Sequence, residues 1–164
     1  MQRRLTVGAD DANDARQAVS ARLYRARGLR LRHDVTMARL HDVVIDSRHP
    51  ASIARFWAAV LDGYQVAPYD EAELARLRGQ GVFDPEDDPS VLVEAPGTLP
   101  RLFFQLVLEP KTVKNRVHLD LRCDRVADEV ERVTGLGASI VADYDDHVVL
   151  RDPEGNEFCL SGRA

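Results

Sequence analysis

Two histidines stand in matching strings of this 164-residue chain, His41 in Arg39-Leu40-His41 and His118 in Arg116-Val117-His118. Imidazole titrates near neutrality, moves protons and ligates borderline metals, so a recurring histidine is a first candidate for chemistry. Beyond His118 lie Asp120 and Arg122, two apart and so on one face of an extended strand, where they either pair or hold a charged ligand. Lys111, Lys114 and Arg116 form a small basic cluster just before that strand, and they are either a solvated loop or a contact for an anion. Asp84 to Asp88 is an acidic loop run without the ligand spacing of a calcium-binding hand. The chain has no P-loop, nucleophile-elbow, Cys-x-x-Cys or His-Glu-x-x-His motif.

The elements that must position these residues follow from periodicity. Residues 39–46 are rich in β-branched side chains and predict a strand. Pro50 suits the first position of a helix, and Ile53, Phe56, Trp57, Val60 and Leu61 follow as a core-facing stripe that Asp62-Gly63 ends. Trp57 reads as core packing. A short strand at 64–68, a helix at 70–78, a loop at 79–89 and strands at 90–95 and 101–108 complete the first half. The second half repeats that order. It runs from a strand at 116–123 to a helix at 124–134 with Asp124 as cap, then to strands at 139–144, 147–151 and 157–160. Asp152-Pro153-Glu154-Gly155-Asn156 is the turn before the last strand. Arg39-Leu40-His41 aligns with Arg116-Val117-His118 at an offset of 77, which points to an internal duplication.

Composition narrows the function. Residues 1–36 hold eight arginines against four aspartates, a balance of +4; residues 37–164 hold 14 basic and 23 acidic residues, a balance of −9. An acidic body does not track nucleic acid by charge. The longest apolar run, Phe56 to Leu61, is too short to span a membrane. Two cysteines make no disulfide framework, and with no secretory leader in the sequence a cytoplasmic setting is expected. Residues 1–36 carry only a thin helical stripe (Ala15, Val19, Leu23) and stay open between a loose tail, a start-codon artefact and a basic arm. The chain has two lysines against twenty arginines, which reads first as codon bias.

The duplicated βαβββ order, a histidine in each first strand, the string KNRVHLDL at 114–121 and the closing DPEGN turn together resemble the vicinal oxygen chelate superfamily. This is the glyoxalase, bleomycin-resistance and extradiol dioxygenase group, and the likeness is to its glyoxalase-like domain proteins. It covers residues 38 to 162. It implies an α+β fold of two tandem modules, about 38–109 and 115–162, in one domain at 37–164, each module curling its sheet into half of a central cleft. It implies a small organic ligand, with module pairing inside one chain or between two copies as a homodimer.

The same resemblance implies where a divalent metal (zinc, nickel, manganese or iron) sits in members that carry one: four ligands, His or Gln, Glu, His and Glu, one from each of four strands. Carried across, this places His41 first and His118 third. Gln105 falls where a glutamate is usual, and Cys159 falls four residues after the turn glycine, with Glu157 two earlier on the same face. Both carboxylates are thus missing from their places. A neutral Gln105 cannot act as the metal-bound base of glyoxalase I chemistry, so that activity is not expected. Two histidines, a glutamine and a cysteine could still hold zinc. Without metal they are hydrogen-bonded cleft or core residues, Cys159 being a small buried hydrophobe. The expected cleft set is His41, Gln105, His118, Asp120, Arg122, Glu157 and Cys159. Two readings follow. One is a binder of a small organic ligand that acts as an enzyme of lyase, isomerase or oxygenase type. The other is a sequestering protein of the bleomycin-resistance kind, whose acidic body would suit a cation.

Overall fold

The structure, a computed structural model, describes residues 38–163. The reading of residues 1–36 lies outside them. The fold is α+β, with two four-stranded sheets. The first is built from β1 (Asp42–Ser47), β2 (Gln65–Val66), β3 (Ser90–Glu94) and β4 (Arg101–Leu106), in the order β1-β4-β3-β2. The second is built from β5 (Leu119–Cys123), β6 (Ser139–Asp143), β7 (His147–Arg151) and β8 (Glu157–Gly162), in the order β5-β8-β7-β6. In each sheet the first strand runs parallel to the last, and the remaining pairs are antiparallel. Helix α1 (Pro50–Val60) follows β1, α2 (Glu71–Gly79) follows β2, and α3 (Val126–Gly135) follows β5.

Alternation sorts each strand into two faces. Val43 and Ile45 of β1 pack on the core, as do Val91 and Val93 of β3, Leu102 and Phe104 of β4, Leu119 and Leu121 of β5, Val148 and Leu150 of β7, and Phe158 and Leu160 of β8. The helices supply the other side of this layer. Ile53, Phe56, Trp57 and Val60 of α1 are buried as the stripe predicts, and Val133 of α3 is fully buried. One apolar cluster runs through both modules, and Trp57 stacks edge-on to Phe158 with ring centroids 5.2 Å apart. The opposite faces, with Asp42, Val44 and Asp46 on one sheet and Asp120 and Arg122 on the other, look away from the core.

The strand expected at 64–68 shortens to Gln65–Val66 and the one at 101–108 ends at Leu106, and three further expectations shift. The first and fifth strands begin later than predicted, at Asp42 and Leu119, because Arg39–Leu40 and Arg116–His118 have no ladder partner; the Asn115 N–H instead donates to the Glu157 side chain. Asp124 does not cap α3: Arg125 is the N-cap residue, without a side-chain bond, and Asp124 pairs with Arg163. The duplication is also offset by one residue. Val43 faces Leu102 and Leu119 faces Phe158, each pair seated in the core, so the modules correspond at an offset of 76, from Val43 to Leu119. The counterpart of His118 is therefore Asp42 rather than His41, and the counterpart of Cys159 is Phe103 rather than Gln105. No helix among the described residues is long and apolar enough to cross a membrane.

Candidate functional site

The outward face of the second sheet carries the densest polar chemistry. His118, just before β5, and Asp120 on β5 are two residues apart and so share a side, and the imidazole Nδ1 lies 3.0 Å from Asp120 Oδ1. Cys159 of β8 is the ladder partner of Asp120, and its Sγ lies 3.9 Å from His118 Nδ1. The three groups offer one nitrogen, one oxygen and one sulfur atom, all within 4.8 Å of one another. Burial pushes the Cys159 thiol up, the Asp120 carboxylate adds to this, and the Lys114 ammonium opposes it. The sulfur therefore stays a thiol near neutrality and is not an activated nucleophile.

Asp120 takes His118 as its partner, not Arg122, so the Asp120–Arg122 pair left open by the sequence does not form. Both instead line a groove of about 960 Å³ between the modules, facing Leu61, Tyr64 and Leu99. Of the seven residues expected in a cleft, Asp120 and Arg122 line this groove, and His41, Gln105, His118, Glu157 and Cys159 do not. A second groove, about 720 Å³, lies between Ser47–His49 and Pro153–Glu154.

Glu157 shares the face of Cys159 but is committed elsewhere. Its carboxylate accepts from the Asn115 N–H at 3.0 Å, pairs with Lys111 at 3.1 Å and has Arg151 at 3.7 Å. Burial pushes its carboxyl up, but the Asn115 N–H and the Lys111 ammonium outweigh burial and hold it at about 2. It anchors the 111–115 connector to β8.

In the first module, His41 stands at the mouth of β1 beside an ion pair, where Arg101 clamps both oxygens of Asp42 at 2.8 and 3.0 Å. The Arg101 guanidinium holds the Asp42 carboxyl below its usual range. The His41 ring lies 3.5 Å from Arg101 and 3.8 Å from Asp42, and it is not part of the group formed by His118. Gln105 is exposed on β4 opposite Asp46 and Ser90.

These placements test the four-strand metal set that the resemblance implies. By register, the first module sets Asp42 against His118 and Phe103 against Cys159. Asp42 is held by Arg101, and a phenyl ring offers no ligand atom. The chain's residues therefore do not fit that set, and the donors that do converge all belong to the second module. Sequence reasoning named His118, Asp120 and Cys159 but missed Asp42 and Arg101, because the one-residue change of offset shows only in the sheet register.

Two βαβββ modules on a shared core, each with its polar face turned outward, define the class of the molecule. The chain belongs to the glyoxalase-like domain family, whose model matches residues 42–161. No curated protein matches it in sequence. Similar solved structures include an enzyme of the glyoxalase/bleomycin resistance protein/dioxygenase family from Burkholderia phytofirmans (TM-score 0.54, 19% identity, covering 76% of this chain and 98% of that one). The fosfomycin resistance protein FosX from Mesorhizobium loti is another (TM-score 0.54, 14% identity, 77% and 89% covered). A third is a superfamily member from Sphaerobacter thermophilus (TM-score 0.52, 16% identity, 79% and 100% covered). At these identities the likeness concerns the fold, which hosts many chemistries.

Proposed function

We propose that the protein binds a small organic molecule on the polar face of its second module, in reach of the groove between the modules, and that His118 is the proton-handling group of that site. The observation that carries this is the 3.0 Å contact of His118 with Asp120 beside Cys159. An Asp120 carboxylate on Nδ1 orients the ring and leaves Nε2 for a ligand, the arrangement a general acid or base needs. Among the chemistries of the family, this favours proton transfer of the lyase or isomerase type. An oxygenase face of two histidines and a carboxylate is not supported, since His41 stands apart and Glu157 is neutralised by Lys111.

The test is a thermal-shift screen of the full chain against thiol-conjugated aldehydes and cationic antibiotics, repeated on His118→Ala and Asp120→Asn. The expected result is saturable stabilisation that falls at least fivefold in apparent affinity in His118→Ala. Equal stabilisation of wild type and both variants overturns the proposal. Deuterium uptake from solvent into the ligand, lost in Asp120→Asn, separates turnover from binding.

A second reading, sequestration of a cation without turnover, draws on the first module. A pocket of about 620 Å³ under α2 sets Tyr69 and Phe103 among Asp70, Glu73 and Glu94, with Arg76 as its one basic residue. The Phe103 ring already carries the Arg101 guanidinium, 5.4 Å from its centroid, so an ammonium group entering here exchanges with that cation and meets Tyr69 and the carboxylates. Stabilisation by cationic antibiotics that is lost in Phe103→Ala and kept in His118→Ala favours this reading.

A further inference from the structure

We propose that the second module holds a small oxyanion, a carboxylate or phosphonate group, between the 111–114 connector and β7, with Lys114 and Arg151 as its binding residues. The proposal deepens the ligand-binding reading above and rests on it. The chain has two lysines in 164 residues, and both line one pocket of about 410 Å³, together with Arg151. Three cations thus meet a single carboxylate, Glu157, in a body that otherwise carries a net negative charge.

The three cations are not equivalent. Lys111 is spent on structure: its ammonium pairs with Glu157 at 3.1 Å and donates to the Val113 carbonyl at 3.0 Å, while its stem runs over Gly155. Arg151 keeps only a long contact with Glu157, 3.7 Å, and is about half exposed. Lys114, in the same pocket, has no carboxylate within 4 Å among the described residues. The pocket therefore has two cations with spare donors, and it borders the His118–Asp120–Cys159 group through Val149, the ladder partner of Cys159. Val141 and Val149 give it an apolar floor. This combination suits a short organic molecule whose anionic end sits on Lys114 and Arg151, where a guanidinium fork and an ammonium divide the oxygens, and whose body lies on the valines toward His118.

Methylphosphonate and propionate serve as probes, titrated by calorimetry into the full chain at low ionic strength, with methylammonium as the opposite-charge control. Saturable binding of at least one anion is expected, at least tenfold weaker in Lys114→Gln and in Arg151→Gln and weakened by added salt. Arg125→Gln, which removes an exposed cation paired with Asp128 on α3, should leave it unchanged. Circular dichroism melts confirm that each variant folds. Absence of saturable binding by either anion, or equal loss in Arg125→Gln, overturns the proposal. Protection of Cys159 from iodoacetamide separates the two readings. If the anions fail while a neutral or cationic ligand still protects Cys159, the oxyanion assignment falls and the ligand-binding reading stands. If no ligand protects it, both fall.

Discussion

The indole N–H of Trp57, in the first module's helix, donates to the carboxylate of Asp152 in the second module's last turn at 3.2 Å, inside the core. Asp152 also accepts from the backbone N–H groups of Glu154 and Asn156, so one buried carboxylate closes its own turn and ties the modules together. Burial pushes its carboxyl up, and the Asn156, Trp57 and Glu154 donors oppose that. Asp152→Ala leaves several buried donors unpaired and is expected to cost about 3 kcal/mol. Trp57→Phe removes one donor and some packing and should cost about 1–2 kcal/mol. Urea unfolding of both single variants and the double variant reads the coupling. Strict additivity would show that this bond does not join the modules energetically.

The same turn holds the chain at the entry to α1. N-cap residue His49 makes no side-chain cap bond, and Glu154 instead binds the segment that leads into the helix. It takes the Ser47 hydroxyl at 2.9 Å and the Arg48 and His49 N–H groups at 2.9 and 2.8 Å. A carboxylate there also favours the positive end of the helix dipole. Glu154→Ala should lower stability by about 1–2 kcal/mol, and Glu154→Gln by less, in the same unfolding assay. An unchanged midpoint in Glu154→Ala would show that these contacts carry no stability.

Much of this architecture is legible from residue patterns, and the reason is periodicity. The Ile53–Phe56–Trp57–Val60 stripe and the alternation in β5 and β7 record which face is buried, and burial is what a fold most strongly imposes on residue choice. The site is less legible because it depends on register. His41 and His118 align as letters, but the ladder pairs Val43 with Leu102 and Leu119 with Phe158, and that moves the equivalence to Asp42. A one-residue slip sends a side chain to the opposite face, so a resemblance between two short strings cannot decide it. Glu157 illustrates a second limit. Its neutralisation by Lys111, 46 positions away in the chain, has no local signature.

Glu157 also predicts a pH dependence. Its folded-state value of about 2 lies below the ordinary 4.5, so the stability it contributes is present above pH 4.5 and is lost as pH falls toward 2. Asp152, shifted the other way, contributes the opposite slope as pH rises from 3.8. Glu157→Gln should therefore weaken the dependence of the urea midpoint on pH between about 5 and 2, while lowering stability at pH 7 by about 1–3 kcal/mol through the unpaired Lys111. Parallel pH profiles for wild type and variant would remove Glu157 from that role.

The convergence of donors in one module makes a final prediction about metal. His118, Asp120 and Cys159 are the ligand atoms that meet, and His41 is not with them. Zinc offered to the protein at micromolar concentration should slow alkylation of Cys159, because binding must displace the thiol proton and cover the sulfur. His118→Ala should abolish that protection, and His41→Ala should leave it intact. Binding is expected to be weak, since burial and the Asp120 carboxylate both disfavour the Cys159 thiolate, and to strengthen as pH rises and the proton is released more readily. Iodoacetamide labelling followed by mass spectrometry, at pH 6.5 and 8.5 with and without zinc, measures all three points. Loss of protection in His41→Ala would mean that the first module's histidine reaches the metal after all, and that the four-strand arrangement forms in solution.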